Sequence, residues 1–249
     1  MDGSEIGKLA ALLSAARSIV AFTGAGVSTE SNIPDFRSAG GVYDSIRKTY
    51  GRPPEVLLSH SFFEAHPEIF FDYLRRFLVF PDAQPNDAHR ALARLEAAGR
   101  GVTVVTQNID GLHAKAGSRN VLELHGSLAR NSCVRCGKAY ALPEVLRAPG
   151  VPRCACGGVI RPDVVLYEEA LDPDVVERAV QSIAAADLLL VMGTSLSVYP
   201  AAGLLDYFHG SALVLINRTP TPRDARAQLV IREAAGKTMR AALEAMGTL

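Results

Sequence analysis

An α/β fold is expected, with a parallel β-sheet covered by helices on both faces and a second, smaller domain. Three observations lead there. Short apolar runs of strand length at residues 19–22, 102–105, 188–192 and 212–216 are nearly continuous in Val, Ile, Leu, Ala and Met, the pattern of strands buried on both faces. Helical patterns separate several of them, for example at residues 88–98 and 173–186, and strand–helix alternation is the signature of a parallel sheet. Two stretches, residues about 38–82 and about 128–160, break this rhythm and read as insertions that pack together.

In chain order, Ile6, Leu9, Leu12, Leu13 and Ala16 recur at helical spacing over residues 5–17, with Ser4 as a candidate cap. The run at 19–22 then enters Thr23-Gly24-Ala25-Gly26-Val27-Ser28. The first insertion is helical and aromatic, with Phe62, Phe63, Phe70, Phe71, Tyr73 and Phe77. After the helix at 88–98, the run at 102–105 enters Thr106-Gln107-Asn108-Ile109-Asp110. The second insertion holds all the cysteines. The runs at 188–192 and 212–216 enter Gly193-Thr194-Ser195 and Asn217. Residues 1–37, 83–127 and 161–249 are thus expected to form the large domain, and residues 38–82 and 128–160 the small one.

The chain of 249 residues is long enough for a sizeable core. Lys plus Arg and Asp plus Glu both number 26. That balance argues against broad nucleic-acid binding, which needs a basic excess on one face. No apolar run reaches the roughly 18–20 residues of a membrane span. The four cysteines lie within residues 133–156, a cluster unlike a secreted disulfide framework. A cytoplasmic enzyme is the expected class.

In open parallel sheets ligands bind outside the carboxyl ends of the strands, so the four polar or Gly-rich turns suggest one nucleotide-sized site. Gly24-Ala25-Gly26 permits a sharp turn and close approach to a ligand, and a helix starting near Ser28 would aim free amides at a pyrophosphate. Thr29 stands where a dinucleotide fingerprint has its third glycine, which weakens a dehydrogenase reading; Ser28 and Thr29 also read as helix caps. Phe36 can cover a planar ring and Arg37 can meet a phosphate or carboxylate, or the pair is a core Phe beside a solvated Arg. Asn108 and Asp110 either reach the crevice or close a turn. His125 is the best general-base candidate among the six histidines. His60, His66 and His209 lack a polar constellation in sequence, and His113 is local packing or a neighbour of the site. Cys133, Cys136, Cys154 and Cys156 form two close-set pairs, the pattern of a closed structural zinc site.

Taken together, the ordered segments resemble the sirtuin family of NAD-dependent protein deacylases. The matching segments are Gly24-Ala-Gly-Val-Ser-Thr29, Ile33-Pro-Asp-Phe-Arg37, Thr106-Gln-Asn-Ile-Asp110, Leu124-His-Gly126, the cysteine pairs, Gly193-Thr-Ser195 and Asn217. The resemblance implies a Rossmann-like large domain and transfer of an acyl group from lysine to ADP-ribose, with release of nicotinamide and O-acetyl-ADP-ribose. It implies that Gly24, Ala25, Gly26, Ser28 and Thr29 hold the pyrophosphate of NAD, with Gly193, Thr194, Ser195, Asn217 and Ala235 on the adenosine side. Asn108, Ile109 and Asp110 would form the nicotinamide pocket, Asp110 bonding the carboxamide. Phe36 would shield the reactive ribose face, Gln107 and Arg37 would assist positioning, and His125 would act on the ribose hydroxyls. Val164, Val165, Leu166 and Tyr167 match the segment that pairs with the substrate peptide. Glu168 stands where many members have Gly, either shifting peptide preference towards basic flanks or lying as a solvated charge.

Acyl preference turns on helix register. Tyr73-Leu-Arg-Arg76 superficially fits the Tyr-x-x-Arg pair of members that remove acidic acyl groups such as succinyl. An ungapped count from His66-Pro67 instead sets Leu74 and Phe77 at the selectivity positions, and this apolar channel is favoured. Alternatives are mono-ADP-ribosyl transfer in the same pocket, a non-catalytic NAD sensor, and an ordinary dehydrogenase. The dehydrogenase would need the third glycine and an acidic residue at the end of the second strand.

Overall fold

The structure, a computed structural model, describes residues 3–38 and 40–247. Nine strands are found among them: β1 (Ser18–Thr23), β2 (Gly101–Thr106), β3 (Val121–Glu123), β4 (Gly126–Cys133), β5 (Ala139–Ala141), β6 (Ile160–Val164), β7 (Leu188–Met192), β8 (Ala212–Ile216) and β9 (Leu229–Ile231). Six form one sheet in the order β3-β2-β1-β7-β8-β9, and every pairing in it is parallel. The expected α/β sheet is therefore present. Its strand order reverses at β1, which has β2 on one side and β7 on the other, so a crevice is left at their carboxyl ends.

Alternation along the strands explains the two helical layers. Ile19 and Ala21 of β1 point into a core with Leu9 and Leu13 of the helix Gly3–Ala15, Leu92 and Leu95 of Asp87–Ala97, and Met239 and Leu243 of Ala235–Ala245. Val20 and Phe22 point the other way, into a core with Ala179 and Ile183 of Pro173–Ala185 and Leu204 and Leu205 of Ala201–Tyr207. Successive side chains of a strand leave on opposite faces, and both faces here are apolar. Ser4, the expected cap, lies inside the first helix, which begins at Gly3.

A third core joins the two insertions. The helices Val42–Tyr50, Pro54–Leu57, His60–Ala65 and Pro67–Tyr73 pack Ile46, Leu57, Phe63, Phe70 and Phe71 against Leu128, Val145, Ile160, Val164 and Leu166. The second partner is a three-stranded sheet, β5-β4-β6, with antiparallel pairing. The boundary expected after residue 160 therefore falls inside β6, because that strand pairs with β4 and not with the large sheet.

His113 is packing. Its ring lies 4.6 Å from that of His89, its Nε2 is 3.0 Å from Thr23 Oγ1, and both histidines are buried. Burial pushes His89 down to about 4 and His113 to about 3, so both are neutral and poor proton acceptors at pH 7. Among the described residues no helix is long and apolar enough to cross a membrane.

Candidate active site

A cavity of about 710 Å³ opens where β1, β2, β7 and β8 end, and the small domain supplies its other wall. On the sheet side its surface comes from Gly24, Ala25, Gly26, Thr29, Gln107, Asn108, Ile109, Gly193, Thr194, Ser195, Asn217 and Ala235. The glycine loop forms the 3-10 helix Ala25–Ser31 in place of the expected helix start near Ser28, and ends at Asn32 with φ 62°. Its glycines are needed for a reason outside the segment. The Gly26 amide donates to Gly193 O at 2.8 Å, and a Cβ on Gly26 would stand 2.8 Å from the Gly193 backbone. Two strand-end loops thus touch, backbone to backbone.

The turn after β2 is held by a hydrogen-bond relay. Asn108 Nδ2 donates to Ser28 Oγ at 3.1 Å, and Ser28 Oγ donates to Asp110 Oδ2 at 2.7 Å. Asp110 Oδ1 also accepts from the Leu112 amide at 2.9 Å. Burial pushes the Asp110 carboxyl up, against the hydrogen bonds from Ser28 and Leu112. Ser28 and Asp110, expected as direct contacts, contribute no surface to the cavity. They bond instead around Asn108, Ser28 accepting from its amide and donating to Asp110. Gln107 Nε2 donates to Thr194 Oγ1 at 3.1 Å and so ties the β2 turn to the β7 turn.

His125 lies between β3 and β4 and lines the cavity. Its Nδ1 is 3.0 Å from the Gln107 carbonyl. A carbonyl only accepts, so Nδ1 carries the proton and Nε2 keeps a lone pair. Burial pushes the imidazole below its usual value, with nearby Arg37 acting in the same direction and the Gln107 bond opposing. Phe36 and Arg37 reach the same cavity; the Phe36 ring meets Tyr43 edge-on at 5.6 Å, and the Arg37 guanidinium lies 5.3 Å over the Tyr43 ring.

Sequence reasoning missed Glu30. The helix Ala235–Ala245 starts after Ala234, which has no side chain to cap it. Glu30 does so from the glycine-loop segment, Oε2 accepting from Gly236 N at 2.6 Å and Oε1 from Lys237 N at 3.2 Å. The carboxylate clamps this helix, whose first residue Ala235 lines the cavity, to the loop that carries Gly26. Glu30→Ala should lower stability by about 1–2 kcal/mol and weaken severalfold the binding of the NAD that the family resemblance implies. Thermal melts and calorimetric titration with NAD check this; unchanged affinity would sink the clamp.

The small-domain wall includes Val164, Val165, Leu166 and Tyr167. Tyr167 is fixed on both sides, its amide donating to Leu58 O at 2.9 Å and its carbonyl accepting from His60 N at 3.0 Å. Glu168 has φ 76°, a conformation that favours glycine. Its carboxylate accepts from the Ser61 amide and hydroxyl, each at 2.9 Å, so this exposed charge is fixed in place. His60, expected to lack polar neighbours, has its Nδ1 2.7 Å from Glu169 Oε1, and Arg161 Nη1 lies 2.6 Å from the same oxygen. Against the desolvation that would raise it, Arg161 and the Leu166 amide hold Glu169 at about 2.

The register of the channel helix needs correction. Leu74 and Phe77 do not line the cavity; Phe70, Tyr73 and Leu78 do. Leu74 is buried in the third core, and Phe77 packs on Tyr73 with ring centroids 6.1 Å apart. The helix Pro67–Tyr73 continues as a π-type turn, Leu74–Leu78, in which Val79 N donates to Leu74 O at 3.1 Å. A five-residue repeat changes the angular phase, so counting at 100° per residue fails past Tyr73. The Tyr-x-x-Arg alternative fails too, since Arg76 is half exposed, bonds Asp72, and contributes nothing to the cavity.

The four cysteine sulfurs lie within 4.8 Å of one another. Cys133 and Cys156 are 3.5 Å apart and Cys136 and Cys154 3.6 Å apart, too far for disulfides, which need about 2.05 Å. Four sulfurs at about 2.3 Å from a tetrahedral zinc would stand about 3.8 Å apart, so the cluster fits that ion. None of the four lines the cavity, and the set is closed, as in a structural site.

The fold and cavity define a doubly wound nucleotide-binding α/β protein whose site is shared with a cysteine-bearing small domain. A Sir2 family model matches residues 24–200. The chain belongs to the Sir2 family. It is 54% identical over 239 residues to an NAD-dependent protein deacetylase of Cutibacterium acnes, covering 96% of this chain and 98% of the relative. It is 52% identical over 237 residues to one of Clostridium acetobutylicum, with 94% and 96% covered. A solved Sir2–p53 peptide–NAD+ structure superposes with TM-score 0.86 at 38% identity, covering 97% of this chain and 98% of that one. A Sir2 bound to acetylated peptide superposes with TM-score 0.86 at 36% identity, with 98% and 99% covered.

Proposed function

We propose that this chain is an NAD-dependent protein-lysine deacetylase that transfers the acyl group to ADP-ribose. The observation that carries the reading is the single cavity in which the touching glycine loops, the hydrogen-bonded Asn108 amide and a neutral His125 meet the wall of Val164–Tyr167. Gly24, Ala25, Gly26 and Thr29 hold the pyrophosphate of NAD, and Gly193, Thr194, Ser195, Asn217 and Ala235 its adenosine. Bound NAD supplies an electrophilic anomeric carbon with nicotinamide as leaving group. Asn108 and Ile109 hold the nicotinamide end, while Ser28 and Asp110 bond around Asn108. Phe36 excludes water from the reacting face. His125 accepts a proton at Nε2 while Nδ1 keeps its own proton, donated in the hydrogen bond to the Gln107 carbonyl. Val164, Val165, Leu166 and Tyr167 present an edge to an extended acyl-lysine peptide.

Residues 38–82 with 128–164, the latter including β6, act as the small domain, and the clustered unbridged thiols favour the reducing cytoplasm. The test is mass spectrometry of an acetyl-lysine peptide incubated with NAD across a pH series. Deacetylated peptide, nicotinamide and O-acetyl-ADP-ribose are expected in step. Because burial lowers the His125 value, protonation should switch activity off only below about pH 6.5, the ordinary imidazole value. Nicotinamide release with the acetyl group retained would favour ADP-ribosyl transfer instead, and an acid limb above that value would remove His125 as the base.

A further inference from the structure

We propose that the Glu168 carboxylate selects acyl-lysine peptides that carry a lysine or arginine close to the acylated residue. The inference rests on the deacylase reading and deepens it, since it names the class of protein segment the site takes.

Glu168 directly follows the wall Val164–Tyr167, is exposed, and itself lines the cavity. Its carboxylate bonds Ser61, which is exposed and does not line the cavity, so the charge stands at the rim. A peptide in the cavity would meet it with the residues that flank the acyl-lysine, and not with the acyl chain. The Ser61 amide and hydroxyl are neutral donors. They fix the carboxylate and hold it below its usual value, but they leave its negative charge uncompensated. No Lys or Arg among the described residues pairs with it. His60 also acts on it, but that imidazole already faces Glu169 at 2.7 Å and Glu64 at 3.5 Å.

The other carboxylates of the cavity wall are occupied. Glu169 pairs with Arg161 and Glu233 with Lys237. Asp35 accepts from the amides of Arg37 and Ser38 and closes its own turn. Glu168 is also held at φ 76°, where a side chain costs free energy that glycine would avoid. Such outliers cluster at binding sites, and this one sits beside the wall that the peptide reading uses. A charge fixed in advance loses little freedom when an opposite charge arrives, and it sets the sign of the partner.

The experiment measures kcat/KM, at low and high salt, for acetyl-lysine peptides with a single Lys, Ala or Glu at each of the three positions on either side. The proteins are the wild type, Glu168→Gln and Glu168→Gly. Glutamine keeps an acceptor for Ser61 without the charge, and glycine suits the positive φ, so both should fold. In the wild type, Lys should exceed Glu by roughly three- to tenfold at one position or more at low salt, one exposed attraction gained and one repulsion relieved. The preference should sit in KM, shrink at high salt and vanish in both variants. A ratio near one at every position in the wild type overturns the proposal. So does an unchanged ratio in the variants, even where they slow every peptide alike, as a merely structural Glu168 would. Affinities of the same peptides, read by fluorescence anisotropy, give the ratio independently of turnover. If acetyl-lysine is not cleaved, the deacylase reading fails, and the binding ratio still decides the role of Glu168.

Discussion

Replacing His125 by alanine is expected to cut deacylation by roughly 10²–10⁴-fold, the usual worth of a positioned general base. Melting temperature and NAD affinity should change little. Of the histidines that lie near the sheet's carboxyl edge, only His125 lines the cavity. His89 and His113 are buried away from it and held at about 4 and about 3. The Gln107 carbonyl fixes the tautomer of His125, so the free lone pair sits on Nε2. Steady-state kinetics on an acetyl-lysine peptide, with nicotinamide and deacylated peptide quantified separately, make the check. Full deacylation by His125→Ala would eliminate the proposed base. Loss of deacylation with nicotinamide release retained would show that NAD still reacts and that His125 serves a later proton transfer.

Removing the metal should be the larger structural insult. A structural zinc contributes about 10–16 kcal/mol of folding free energy in small modules. Cys133 ends β4 and the other cysteines lie in the segments that flank the three-stranded sheet, and Cys133 and Cys154 belong to the same core as Val164 and Leu166, which wall the cavity. A strong chelator, or Cys136→Ser, should therefore unfold the small domain first and abolish deacylation. The six-stranded sheet has separate cores and should persist. Calorimetry should resolve an early transition in the metal-free protein, and elemental analysis should find about one zinc per chain, as four thiolates hold one ion. A Cys136→Ser protein with unchanged melting and full activity would refute a structural zinc site.

Much of the large domain was legible in sequence because its cause is local. The strands at residues 188–192 and 212–216 are observed with those bounds, and the helix expected at 173–186 spans Pro173–Ala185. An apolar run, a proline at a helix start and a turn residue act over a few neighbours, so the chain itself records them. The turns at the strand ends were legible too, since a parallel sheet leaves few other places for polar loops.

What escaped depends on pairs of residues far apart in the chain. Nothing near Gly26 announces that Gly193 will lie against it, and Glu30 caps a helix that starts more than 200 residues later. The network of His60, Glu169 and Arg161 assembles only when the first insertion packs on β6. Tyr73 shows the limit most clearly. Periodicity set the aromatic helix in place, yet the residues it turns to the cavity are Phe70 and Tyr73, followed by Leu78 at the end of the π-type turn, and not Leu74 and Phe77. The sequence by itself determined the elements, the sheet and the chemistry of the loops, because those follow from contacts along the chain. Only the tertiary structure decided which side chains share the cavity and which charge is left unpaired at its rim, since both depend on angular phase and packing between distant segments.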